Sequence, residues 1–146
     1  MSIEISNRKA SYDYKIEETF VCGIELIGSE VKSFRMRGGD ISGCFCEVGT
    51  HLNMVGSNII PMTEKGYGKF EPTRTRKLLV TKKEKEFIRT KIQEKGYACI
   101  PLKMYFNEKG TIKVLIGIGK GKRNVDRRET IKARDAEREI RKELKN

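Results

Sequence analysis

The side chains that could do chemistry in this chain are plentiful, but their spacing assembles no catalytic set. A single histidine, His51, lies in a strand-like run. A lone imidazole there reads as a surface or satisfied residue rather than a base. Glu17 and Glu18 are adjacent, so in a strand they would point to opposite faces and could not act as a pair. Cys22, Cys44, Cys46 and Cys99 are scattered through strand-like segments instead of forming C-x-x-C pairs. Cys44 and Cys46 would share one face of a strand with no second pair to match, so buried reduced thiols are expected and a metal site is not. No G-x-x-x-x-G-K-[ST], H-E-x-x-H or G-x-S-x-G run occurs. Gly117-Ile118-Gly119-Lys120-Gly121-Lys122 resembles a phosphate loop only loosely and reads as a flexible hinge. No catalytic residue, cofactor or enzymatic activity is expected.

What the residues do supply is positive charge. The 146 residues include 31 Lys and Arg against 20 Asp and Glu, a net charge of +11. Such a balance points to a polyanionic partner, nucleic acid before membrane. Three basic groups come from separate parts of the chain: Arg8-Lys9, Lys32 with Arg35, and Arg74, Arg76 and Lys77. Each is interleaved with aromatic or strand-like segments, a pattern suited to a nucleic-acid-binding surface. Composition does not separate RNA from DNA. A membrane-surface helix would carry Trp, Phe and Leu opposite its charges, yet the chain has no Trp. No apolar run is long enough to span a bilayer, and residues 1–6 do not read as a signal peptide. A cytoplasmic protein with no membrane partner is expected.

Residues 119–146 form a basic tail rich in helix formers, with Val125, Ile131, Ile140 and Leu144 as its only sizeable hydrophobics. That is too little apolar surface to dock a helix on its own domain. The tail is expected to be disordered when free and to become helical against an outside partner.

The elements that position the basic groups read as follows. Residues 7–10 form a short basic arm, and residues 12–26 a long strand bulged near Gly23. A helix opens at Gly28-Ser29-Glu30 with Ser29 as N-cap; Val31 and Phe34 face inward, and Gly38-Gly39 stops it. Residues 44–48 and 51–55 pair as a hairpin about Gly49-Thr50, and residues 58–61 extend the second strand. Residues 66–72 read as a loop. The basic run 73–79 precedes a helix that begins with the capping box Thr81-Lys82-Lys83-Glu84 and buries Phe87, Ile88 and Ile92. Two clear strands, 98–106 and 111–118, flank the turn 107–110, with Pro101 marking an edge or bulge. The fold class is therefore mainly β with embedded helices (α+β). It is a small antiparallel OB-like β-barrel over residues 1–118, followed by the tail at 119–146.

Five runs together resemble a known family. Asn7-Arg8-Lys9-Ala10, Gly28-Ser29-Glu30-Val31-Lys32-Ser33, Pro72-Thr73-Arg74-Thr75-Arg76-Lys77-Leu78-Leu79, Pro101-Leu102-Lys103-Met104-Tyr105-Phe106 and Gly119-Lys120-Gly121-Lys122-Arg123 are similar, in order and spacing, to the SmpB family of SsrA-binding proteins. The resemblance implies an oligonucleotide-binding-type barrel that binds transfer-messenger RNA (tmRNA, or SsrA RNA) and brings its tRNA-like domain to stalled ribosomes. It implies as partners tmRNA, the ribosome through its 16S rRNA at the decoding centre and mRNA channel, and elongation factor Tu as part of the tmRNA complex. It implies RNA-facing roles for Asn7, Arg8, Lys9, Tyr14, Glu18, Lys32, Arg35, Arg74, Arg76, Lys77, Leu79 and Lys113. In the tail it implies ribosome-facing roles for Gly121, Lys122, Arg123, Asp126, Arg127 and Arg128. Val21 stands where some relatives carry Glu, Glu71 replaces the usual Asp, Thr81 replaces a frequent His, and Val125 sits where many members have an aromatic residue or His. A generic or ribosomal RNA-binding protein with a basic extension remains the alternative that residues alone allow.

Overall fold

The computed structural model describes residues 3–61 and 70–122. In chain order the elements are β1 (Glu4–Ser6), α1 (Arg8–Asp13), β2 (Tyr14–Ile24), α2 (Gly28–Arg37), β3 (Gly39–Asp40) and β4 (Phe45–Val48). Next come β5 (Leu52–Val55), β6 (Asn58–Ile59), β7 (Arg76–Leu79), α3 (Lys82–Ile92), β8 (Tyr97–Phe106) and β9 (Ile112–Gly121). All strand pairings are antiparallel. The large sheet runs β1-β8-β4-β5-β7-β2-β9, and β8 also bonds to β9. The sheet therefore closes on itself into a barrel-like ring, as the fold class anticipated, with β1 added outside the ring on β8.

Among the described residues, closure gives every ring strand a neighbour on both sides and leaves the outer edge of short β1 as the edge of the large sheet. The ring is thinnest between β4 and β8, which meet only at Cys46↔Cys99. The inner faces of β2, β8 and β9 fill the core with Cys22, Met104, Val114, Ile116 and Ile118, each 1% exposed or less. The two longer helices cover opposite ends of the ring. Phe34 of α2 packs its ring 5.6 Å from Phe106 at the C-terminal end of β8. Lys91 of α3 lies 4.6 Å from the ring of Tyr97 at the other end of the same strand, and Ile88 is fully buried beneath the helix.

The sequence-derived elements are largely present, with informative corrections. The arm at residues 7–10 is the start of α1, whose N-cap is Asn7. The bulge in β2 falls between Ile16 and Glu18, not near Gly23; Gly23 is instead where the Leu79 side chain crosses the strand, 3.3 Å from a would-be Cβ. The N-cap of α2 is Ile27 rather than Ser29, and its N–H donates to Glu30 Oε1 at 3.0 Å. Residues 58–59 do not extend β5. Gly56, at φ +93°, turns the chain, and β6 pairs with β3 in a separate small sheet. The Thr81–Glu84 capping box is formed by reciprocal bonds of 3.0 and 3.1 Å. The bulge at Pro101 is real, with a register shift between Pro101 and Lys103.

The glycine run read as a hinge is strand. Gly119 pairs with Ile16 and with Ala98, and Gly121 pairs with Tyr14. Bare backbone is needed there: a Cβ on Gly119 would stand 2.5 Å from the Lys15 carbonyl oxygen. β9 thus continues three residues past the boundary read at residue 118. The expected conformations of residues 123–146 and of the loop at 66–69 lie outside the described residues.

Candidate nucleic-acid interface

The charges sort into those the fold keeps and those it displays. Glu30 is fully buried at the start of α2 and is the hub of the first kind. Its Oε1 accepts from the Ile27 N–H and from Arg74 Nη2; its Oε2 accepts from Arg74 Nε at 2.9 Å and Arg76 Nε at 3.0 Å. Burial by itself would raise the Glu30 carboxyl. The bonds from Arg74 and Ile27 and the charge of Arg76 outweigh it, and the pKa falls below the ordinary carboxylate value. Arg76 is fully buried too. Its remaining donors reach Ser57 Oγ at 2.9 Å, the Arg74 carbonyl at 3.0 Å and the Pro72 carbonyl at 3.2 Å. Burial lowers the Arg76 guanidinium despite the charge of Glu30.

This network ties α2, β7, the Pro72 loop and the approach to β6 into one unit. It also corrects the sequence reading. Arg76 has no surface to offer RNA, and the Arg74 guanidinium is engaged by Glu30 while its side chain stays 36% exposed. Asn7 is corrected in the same way. It is 5% exposed, its Nδ2 donates to the Pro101 carbonyl at 3.0 Å, and its Oδ1 accepts from the Ala10 N–H at 3.2 Å. Its role is to start α1 and pin it to the β8 bulge, so that Arg8 and Lys9 stand exposed on the first turn.

The displayed groups form two areas. One is the outer face of β7, β2, β9 and β8. Arg76 and Leu78 point inward, so Lys77 and Leu79 point out. Gly23 lies opposite both Leu79 and Lys113, Val21 opposite Leu115, and Tyr105 opposite Lys113. The result is a mixed patch in which Lys77 and Lys113 sit among Val21 and Leu79, 56% and 48% exposed. Arg35 on α2 lies over the ring of Phe106, 5.2 Å from its centroid, next in chain to Tyr105. Lys32 is exposed on the same helix. The second area surrounds the seam where Tyr14 pairs with Gly121. Arg8 and Lys9 are exposed there, and Lys122 donates to the Ser11 carbonyl at 3.3 Å.

Glu18 joins neither area. The bulge before it places it opposite buried Ile118, on the side of Phe20 and α3. Arg123, Asp126, Arg127 and Arg128 lie outside the described residues. Residues that the sequence did not single out include Glu30, Ser57 and Tyr105. Glu30 carried one signal, a carboxylate at the third position of a helix, but nothing in its spacing named partners so far along the chain.

The remaining reactive groups are held inert. All four cysteines are buried and free. Burial, with Cys99 and Asp40 respectively, pushes the Cys22 and Cys44 thiols up to about 12, far from the thiolate that nucleophilic or metal chemistry requires. His51 is exposed. Among the described residues no group of three or more His, Cys, Asp or Glu could hold a metal ion, and no helix is long and apolar enough to cross a membrane.

Comparison with known proteins agrees in sequence and in fold. The family profile described as "SmpB protein" matches residues 4–146. An SsrA-binding protein of Chlorobaculum tepidum is 43% identical over 139 residues, covering 93% of this chain and 87% of that one. An SsrA-binding protein of Fervidobacterium nodosum is 41% identical over 146 residues, covering 99% and 98%. A solved chain described under "tmRNA-SmpB: a journey to the center of the bacterial ribosome" superimposes with a TM-score of 0.72 at 37% identity, covering 96% of this chain and 99% of that one. The closed ring, the exposed basic patch and a family match running from β1 through the tail lead to one assignment: this chain belongs to the SmpB family of SsrA-binding proteins.

Proposed function

We infer that this chain binds tmRNA and serves trans-translation, delivering the tRNA-like domain of tmRNA to stalled ribosomes so that the nascent peptide is tagged and the ribosome released. The observation that carries this reading is the near-full-length identity to SsrA-binding proteins. It is supported by a basic, partly apolar barrel face of the kind that grips folded RNA through shape and phosphate contacts. Lys77, Leu79 and Lys113 contribute from one face, Arg8, Lys9 and Tyr14 from the other, and Lys32 and Arg35 from α2. Asn7, Arg74 and Arg76 act by holding these in place.

The chain acts as a binding protein and not as an enzyme. Its tail, including Arg123, Asp126, Arg127 and Arg128, probes the decoding centre and the empty mRNA channel, with Gly121 and Lys122 as the junction. Elongation factor Tu travels in the same tmRNA complex, and the site of action is the cytoplasm. A filter-binding titration should show preference for tmRNA over a tRNA or an unstructured RNA of equal length, with affinity falling steeply as salt rises. Equal affinity for all three RNAs would overturn the reading.

A further inference from the structure

Beside the outer patch, β7 borders a concave groove of about 330 Å³ between the start of β5 and the N-terminus of α3. His51, Lys77, Lys82 and Lys85 line it, and no lining residue is acidic. Lys85 Nζ donates to the Thr50 carbonyl at 2.9 Å, and Arg89 donates to the Gly49 carbonyl at 2.9 Å. These bonds clamp the β4–β5 hairpin tip against α3. A carbonyl orients an ammonium without neutralising it, so Lys85 keeps its charge at the groove wall. The N-terminus of α3 is already capped by Glu84, whose carboxylate accepts from the Thr81 N–H, so the field in the groove comes from its lysines rather than from the helix dipole. Leu79 lines the groove and also belongs to the patch with Val21 and Lys113, so the two surfaces are continuous around one strand.

We propose that this groove is a second phosphate-binding stretch of the tmRNA interface, in which Lys82 and Lys85, with His51 and Lys77, hold the backbone of the tRNA-like domain as it leaves the Leu79–Lys113 face. Charge and shape select the ligand chemistry: a phosphodiester chain passing a cleft with basic walls and an apolar rim for ribose. The proposal rests on the tmRNA reading above and extends it to residues of α3 and the hairpin.

The test is the salt dependence of tmRNA binding by the full chain, measured by filter binding across a KCl series. Each lost phosphate contact lowers the slope of log affinity against log salt by about 0.9. Lys82→Gln, which leaves the Lys85–Thr50 bond intact, should reduce the slope by that amount. Lys82→Gln with Lys85→Gln should reduce it by about 1.8, with affinity at low salt down roughly tenfold. Lys95→Ala, in the turn after α3, should leave both unchanged. Circular dichroism and melting of each variant keep loss of binding apart from loss of fold. A wild-type slope in the folded double variant would overturn the proposal. So would a defect confined to ribosome association, which would assign the groove to ribosomal RNA. A wild-type chain with no preference for tmRNA would instead remove the reading on which the proposal stands.

Discussion

Glu30 shows how one buried carboxylate can organise a surface it never reaches. It accepts from two arginines and a backbone N–H, and its folded pKa lies below the ordinary value. Its contribution to stability is therefore complete above the unfolded carboxyl pKa of about 4.3 and is lost as pH falls through the lower folded value. Glu30→Gln removes the charge while keeping the shape. It strands the Arg76 guanidinium, which has no solvent contact. Breaking one side of a buried ion pair costs about 3–5 kcal/mol. Urea unfolding at neutral pH should show a loss of that size, and the gap between variant and wild type should narrow as pH drops below about 4. A gap that is absent at neutral pH, or constant with pH, would contradict the ionised hub. The same residues show why the sequence was hard to read at this scale. In Arg76-Lys77-Leu78-Leu79 both parities carry one Leu and one cation, so alternation could not tell which cation points inward. The answer depends on a carboxylate 46 residues away. Asn7 was equally ambiguous, since a cap and an RNA contact use the same amide.

At the level of elements, the three-way meeting of β2, β9 and β8 depends on backbone approaching backbone at Gly119. An added Cβ there would meet the Lys15 carbonyl oxygen at 2.5 Å and Ile16 Cα at 3.0 Å, atoms that cannot move without opening the β2–β9 ladder. At Gly117 the nearest atoms are side-chain methyls, Leu102 Cδ1 at 2.8 Å and Ile16 Cγ2 at 3.0 Å, which yield more readily than backbone. Gly119→Ala should therefore cost about 1–3 kcal/mol, the range for overpacking, and Gly117→Ala less. Gly119→Ala should also weaken tmRNA binding, because it displaces the Tyr14–Gly121 pair beside Arg8 and Lys9. Thermal melts and filter binding on both variants check the order; equal effects would mean the strands flex more than the packing implies. Strands with strict alternation, such as β9, were legible because Ile112, Val114, Ile116 and Ile118 admit one inward face. Helix α1 was not, since its six residues bury only Ala10 and leave no apolar period to detect. The β3–β6 pair was hidden because two residues on each side carry no pattern, and the break at Gly56 depends on a backbone angle that glycine permits without demanding.

For the molecule as a whole, the distribution of charge separates two jobs. Residues 123–146 contain nine Lys and Arg and six Asp and Glu, a net charge of +3, which leaves +8 on residues 1–122. The net attraction for a polyanion therefore resides mostly in the barrel, and the tail contributes closely spaced charges of both signs. A chain ending after Lys122 retains the outer patch, the α1 face and the Lys82–Lys85 groove. It should bind tmRNA with nearly the wild-type salt slope, because the slope counts phosphate contacts rather than total charge. The same chain should fail to support peptide tagging on ribosomes stalled at the end of a message, because the segment assigned to the mRNA channel is gone. Substituting Arg127 and Arg128 by Ala in the full chain should give the same split more mildly. A generic RNA-binding protein with a basic extension would behave the other way, losing RNA affinity in proportion to charge removed and showing no tagging defect separable from binding. Measuring tmRNA affinity and tagging in parallel on these two variants distinguishes the outcomes, since only division of labour between barrel and tail predicts normal binding with lost tagging.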